Sequence, residues 1–109
     1  IIYLVLSFFG KNPGITRIFV GDILLGETEQ IHSRVIQFFE RIESQIRQIL
    51  REANLGNGPR PISNIEAAAN QMVVYIDGKL FQFVKSSFQR APTEHLEVQW
   101  NVIKAGCFR

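Results

Sequence analysis

Few residues in this sequence are of types that do chemistry, and those few are widely spaced. His32 and His95 stand far apart in the chain, each among charged neighbours on what reads as a helix face. Neither has a partner at ligand spacing. A zinc site needs several thiolate, imidazole or carboxylate donors brought together, and the single Cys107 offers one thiol alone. Both histidines therefore read as solvated surface residues, and no metal is expected. Asp77 is a lone acid in an apolar segment. It could serve as a general base only with a second reacting group beside it; without one it reads as a capped or paired structural group. The glycines form neither a dinucleotide-binding nor a phosphate-binding loop. Tyr75, Phe81 and Phe83 could line a ligand pocket, but ordinary core and interface packing explains them more simply. No catalytic residue, no cofactor and no nucleotide can be nominated. The residues point to a domain that works by contact and is not an enzyme.

One short stretch breaks the pattern. In IIYLVLSFFGKNPGITRIF an apolar run meets Gly-Lys-Asn-Pro-Gly and then resumes. Gly10 suits the left-handed end of a helix. Asn12 is a favoured N-cap, and Pro13 fits the first position of a new helix, where its missing N–H costs nothing. The stretch reads as one helix ending and another starting at a tight corner, with Lys11 as its cation.

Elements must position that corner. The chain has 109 residues, 46% of them hydrophobic and 20% charged, with a net charge of +2. That is one globular domain and too little charge to bind nucleic acid by itself. One cysteine permits no internal disulfide and suits a reducing compartment. The run Ile1–Phe9 is too short to span a membrane and lacks the flanks of a signal peptide. It reads as the buried end of a helix whose start lies upstream. Apolar residues at Ile15, Ile18, Phe19 and Ile23 predict a short helix closed by Gly26. Thr28 then caps a long helix with Ile31, Val35, Phe38, Ile42, Ile46, Ile49 and Ala53 inward, and charged residues on its other faces. The segment Asn54–Pro61 reads as a loop, and Ser63 with Glu66 as a capping box.

The helix predicted over Ser63–Phe88 carries two apolar stripes. One is Ile65, Ala69, Met72, Ile76, Leu80 and Phe83. The other is Ala67, Val74, Phe81 and Phe88, seven residues apart each time. A surface helix of a monomer needs one stripe; two imply burial on two sides, and in a chain this small the second side is most simply a partner subunit. Gly78 would allow close backbone approach. A last helix, capped by Thr93, shows Leu96, Trp100, Ile103 and Cys107. No segment alternates with the period of a strand. The reading is all-α.

The corner NPGITRIFVGDIL, the helix RVIQFFERIESQIRQILRE and the tail FVKSSFQRAPTEHLEVQW, in that order, resemble the C-terminal regulatory domain of the SlmA family, nucleoid occlusion factors of the TetR type. The resemblance covers most of the chain and is weakest over Asn54–Pro61. It implies that residues 1–109 form a C-terminal helical dimerisation and partner-binding domain. An upstream helix-turn-helix head would bind DNA, and two copies would pair as a homodimer through a four-helix bundle. Ala67, Val74, Gly78, Phe81, Phe88, Trp100 and Ile103 would lie at that interface. It also implies binding of the C-terminal tail of the tubulin-like protein FtsZ, which blocks the division ring over the chromosome, and hence a cytoplasmic, nucleoid-associated protein. Carried onto this sequence, the tail would meet Leu4, Ser7, Lys11, Asn12 and Thr16. Lys11 replaces the arginine typical of that family, which turns a bidentate grip into a point charge. Ser7 and Gly10 replace a glycine and an acid. The alternative is the domain of a ligand-sensing TetR-type repressor. That would need a sizeable internal cavity, whereas a peptide binder needs an accessible surface at the corner.

Overall fold

The computed structural model describes residues 1–25, 29–56 and 64–108. These residues form α1 (Ile2–Lys11), α2 (Pro13–Leu25), α3 (Glu29–Leu55), α4 (Ile65–Lys85) and α5 (Leu96–Cys107), and among them there is no strand. The all-α reading holds. The expected closure at Gly26 and caps at Thr28 and Ser63 lie outside the described residues, as does most of the loop before α4.

The α1–α2 break is made by Pro13, which disfavours helical geometry in the residue before it. Asn12 accordingly leaves the helix at φ −132°, ψ 67°. Its side chain works backwards: Nδ2 donates to the Phe8 carbonyl at 2.8 Å, so Asn12 closes α1. Gly10 does not terminate the helix, because α1 continues to Lys11. A Cβ at Gly10 would meet Pro92 Cδ at 3.3 Å. The glycine lets α1 lie against the connector between α4 and α5.

The core stripe of α3 is Val35, Ile42, Ile46 and Leu50. Ile31 and Ile49, expected inside, are 45% and 50% exposed. A pattern read at steps of three and four drifts against the true helical period, so over this length the inward position passes from Ile49 to Leu50.

α4 is capped by Asn64, whose side chain accepts from the amides of Glu66 and Ala67. Ala69, Met72, Ile76, Leu80 and Phe83 are buried as expected, with Ile65 packed against them. α4 lies against α1, α2 and α3 and is the hub of the fold. It stops at Lys85. Ser87 and Phe88 then take left-handed conformations, at φ 56° and 65°. Such geometry is unusual for side chains of this kind. It is supported by the Phe88 amide donating to the Phe83 carbonyl at 2.8 Å and by the two rings meeting edge to face at 5.1 Å. α5 begins later than Thr93 suggested: its N-cap is His95, also left-handed at φ 60°.

Two polar contacts tie α5 and its connector to α4. Lys79, only 7% exposed, donates from Nζ to the Glu94 carbonyl at 2.7 Å, and burial lowers its pKa. Tyr75 donates its hydroxyl to Gln99 Oε1, also at 2.7 Å. His32 is not a free surface residue either. Its Nδ1 lies 3.1 Å from a carboxylate oxygen of the buried Asp22 and pins the start of α3 to α2.

Candidate partner-binding surfaces

The corner is backed by an aromatic cluster. Phe9, wholly buried, meets Phe19 of α2 at 5.3 Å and Phe38 of α3 at 5.9 Å, both edge to face. Such pairs add to the stabilisation from burial alone, so three helices are locked behind one exposed edge. On that edge Leu4 is 70% exposed and Phe8 49%. With Lys11 they follow the helical spacing i, i+4, i+7, so they share one face of α1. Ser7 and Asn12 are half-buried beside them. Lys11 closes the last turn of the helix, where the dipole favours a cation. On the other arm, Ile15 and Ile18 are also open to solvent.

Thr16 does not belong to this surface. It is wholly buried, and its hydroxyl donates within the corner, 2.8 Å from the Phe9 carbonyl and 3.0 Å from that of Asn12. The reason is geometric: Thr16 stands one turn after Asn12 and faces α1. It fixes the corner and offers nothing to a ligand. Phe8, in contrast, was missed in the sequence; its signal was the spacing between Leu4 and Lys11.

The second stripe of α4 is outward. Ala67, Val74 and Phe81 are exposed, Val74 at 56% and Phe81 at 44%. Gly78 stands between them, and a Cβ there would meet nothing within 4 Å. α5 adds Val98 and Val102, 67% and 69% exposed. The Tyr75–Gln99 bond joins α4 to α5. Phe88 packs on Phe83 just past the end of the stripe. Ile103 faces the protomer's own core at 8% exposure, and Trp100 is half-buried against that core. Those two are turned away from the open face, because Leu96, Trp100, Ile103 and Cys107 form the inward stripe of α5.

Comparison with known proteins follows the same lines. The family model for the SlmA-like, tetracyclin repressor-like C-terminal domain matches residues 1–106. The nucleoid occlusion factor SlmA of Idiomarina loihiensis is 46% identical over 104 residues, covering 95% of this chain and 53% of that protein. The SlmA of Alteromonas mediterranea is 43% identical over the same shares. That of Marinomonas sp. is 42% identical over 94% of this chain and 52% of its own. The chain belongs to the SlmA-like C-terminal domain family. It spans about half the length of the curated relatives it matches.

This SlmA-like domain also holds a half-open apolar cavity of about 610 Å³. It sits at the other end of α1 from the corner. Ile2, Ile46, Leu50 and Met72 line it, with Tyr3 and Trp100, and Thr93 and Glu97 are the polar side chains that face it apart from the Tyr3 hydroxyl. Among the described residues no three His, Cys, Asp or Glu side chains gather as a metal site, and no helix is long and apolar enough to cross a membrane. Cys107 is buried, which raises its thiol pKa and makes it a poor nucleophile.

Proposed function

We propose that this chain is the C-terminal dimerisation and partner-binding domain of a nucleoid occlusion protein. It pairs with a second copy through the open face of α4 and α5. The FtsZ C-terminal tail lies on the exposed edge of the α1–α2 corner. DNA is bound by a helix-turn-helix head N-terminal to this domain, and the protein acts in the cytoplasm on the nucleoid. The observation that carries the reading is the corner itself: Leu4, Phe8 and Lys11 on one exposed helix face, held rigid by Phe9 and Thr16 beneath. Leu4 and Phe8 supply apolar contact, and Lys11 supplies a charge for an acidic group. Such a surface suits a short peptide laid across it, since apolar anchors and a charged rim are the usual parts of a small interface.

The test is titration of a labelled FtsZ tail peptide against the DNA-bound full-length protein. Lys11→Glu is expected to weaken binding tenfold or more, because a hydrogen bond to a charged group is worth about 1.5–3 kcal/mol. Leu4→Glu is expected to abolish it. If both variants bind the tail as tightly as the parent, the corner is architecture and the partner docks elsewhere.

A second reading, ligand sensing by a TetR-type domain, is favoured by one observation, the apolar cavity beside Trp100. Its volume lies within the usual span of small-molecule sites. The two readings use opposite ends of α1 and do not compete.

A further inference from the structure

The connector between α4 and α5, residues 86–95, is short and tied down along its length. Three of its residues, Ser87, Phe88 and His95, hold left-handed backbone at φ 56°, 65° and 60°. Such conformations are costly for residues with a side chain and persist only where surrounding contacts enforce them. The enforcing contacts come from the connector itself, from α4 and from α1. The Arg90 amide donates to Ser86 Oγ at 3.0 Å. Glu94 is gripped twice: its carbonyl accepts from Lys79 of α4 at 2.7 Å, and its carboxylate accepts from Arg90 at 2.9 Å. Between these anchors Pro92 is wholly buried and lies over Gly10, where a Cβ would come within 3.3 Å of Pro92 Cδ. Gly10 belongs to the last turn of α1, the turn that presents Phe8 and Lys11. His95, at the far end of the connector, is the N-cap of α5. One tied segment thus joins the exposed edge of the corner to the helix that supplies half of the open face. Closely packed contacts of this kind transmit strain because they have little room to yield.

We propose that residues 86–95 act as a strap that couples the pairing of two copies to tail binding. Pairing fixes α5, the strap holds Pro92 on Gly10, and the last turn of α1 then keeps Phe8 and Lys11 in place for the peptide. In a lone protomer α5 and the strap shift more freely, and the corner binds the tail less tightly. The proposal rests on the corner and pairing readings above and adds the regulation of that site. Lys79 is a positioning residue in it: it is buried away from the tail edge and the open face, yet it anchors the strap through Glu94. By linkage the effect runs both ways, so bound tail also tightens the pair.

The experiment compares Lys79→Met, Pro92→Ala and the pairing variant Phe81→Glu with the parent, all as full-length protein without DNA. Two quantities are read: affinity for a labelled FtsZ tail peptide, and amide hydrogen exchange over α1 and α3. Lys79→Met is expected to keep the dimer mass and to bind the tail about fivefold more weakly, the low end of ordinary coupling between sites. Pro92→Ala is expected to do the same, and Lys79→Met carries the test if the loss of the buried ring prevents folding. Exchange should quicken in the last turn of α1 and stay slow in the buried stretch of α3 around Ile42 and Ile46, because local opening is confined to the unit that is released. Phe81→Glu is expected to give the same exchange pattern as a monomer. Combining it with Lys79→Met should weaken the tail no further than either change alone. Exchange at the end of α1 that ignores Lys79→Met and Phe81→Glu, equal quickening in α3, or tail affinity indifferent to both variants would overturn the strap and leave the corner reading in place. If the parent binds no tail, the corner reading fails by itself and the exchange pattern alone decides the strap. If Phe81→Glu is still a dimer, the pairing face is wrong and the strap falls with it.

Discussion

Thr16 and Lys11 stand close together at the corner and do opposite work. The Thr16 hydroxyl is buried and bonded to the Phe9 carbonyl. Thr16→Val keeps the shape and removes one of two bonds to that carbonyl, which still accepts from the Asn12 amide, so it should cost about 0.5–1.5 kcal/mol and lower the melting temperature slightly. Lys11 is exposed, so Lys11→Glu should lower the melting temperature only slightly, through the lost contact with the helix dipole, while weakening tail binding. Asn12→Ala removes the bond to the Phe8 carbonyl and should cost about 1 kcal/mol, with or without a partner. Asp77 gives a prediction in pH. The Asp77 side chain is exposed, yet partial desolvation by the surrounding protein, and after that the negative Glu43 on α3, holds its carboxyl above the usual carboxylate range. The folded protein thus binds this proton more tightly than the unfolded chain, and stability falls as pH rises through the raised value. Asp77→Asn should be the more stable protein at neutral pH, and the difference should vanish as pH falls below the ordinary carboxylate range. Melting curves across that range check the sign; a variant that is less stable at neutral pH would mean that ionised Asp77 has a favourable partner.

At the scale of elements, legibility follows how local the cause is. The inward stripe of α4 was readable because periodicity alone decides it. The outward stripe was readable as a stripe, and its seven-residue spacing gave the face that the protomer leaves open. The ends of α4 and α5 were not readable. Phe88 looked like a fourth step of the stripe, yet the helix stops at Lys85 and two left-handed residues fold the Phe88 ring back onto Phe83. Lys79 carries no sequence signal for burial, yet the Glu94 carbonyl from the connector takes it inside. Gly10 looked like a helix end because glycine has two uses, and only the tertiary contact with Pro92 distinguishes them. The distinction is testable. Gly21 lies inside α2 with open space where a Cβ would go, so Gly21→Ala should stabilise by about 0.5–1 kcal/mol. Gly10→Ala enjoys the same helix propensity but pushes on Pro92 Cδ. It should be neutral or destabilising, and a gain equal to that of Gly21→Ala in thermal or urea unfolding would mean that the α1–connector contact yields freely.

For the whole molecule, the decisive feature is the apolar face that the protomer does not cover. Val74, Phe81, Val98 and Val102 remain between 44% and 69% exposed, although α4 is otherwise the most buried helix of the fold. Soluble monomers rarely leave a contiguous apolar patch of more than a few hundred Å². Among the described residues α5 shares no extensive helix-to-helix pairing within the protomer; Ile103 and Cys107 are buried on its inner side, Leu96 and Trp100 pack against the core, and Tyr75 bonds to its Gln99. A second copy laid on this face would cover the stripe and give α5 the packing it lacks. Gly78, which no contact within the protomer requires, would let two copies of α4 approach closely where they cross. An obligate interface of this kind should bury roughly 2,000 Å² or more in total. Phe81→Glu is the test, because Phe81 is already 44% exposed in the protomer and a charge there should spare the fold. Light scattering should then give the monomer mass, with circular dichroism still helical. Gly78→Ala should separate the two effects further: the isolated protomer gains helix propensity, whereas the dimer loses affinity at the crossing. Unchanged dimer mass for Phe81→Glu, together with a Gly78→Ala dimer as tight as the parent, would place the interface on another face and leave this one as ordinary exposed surface.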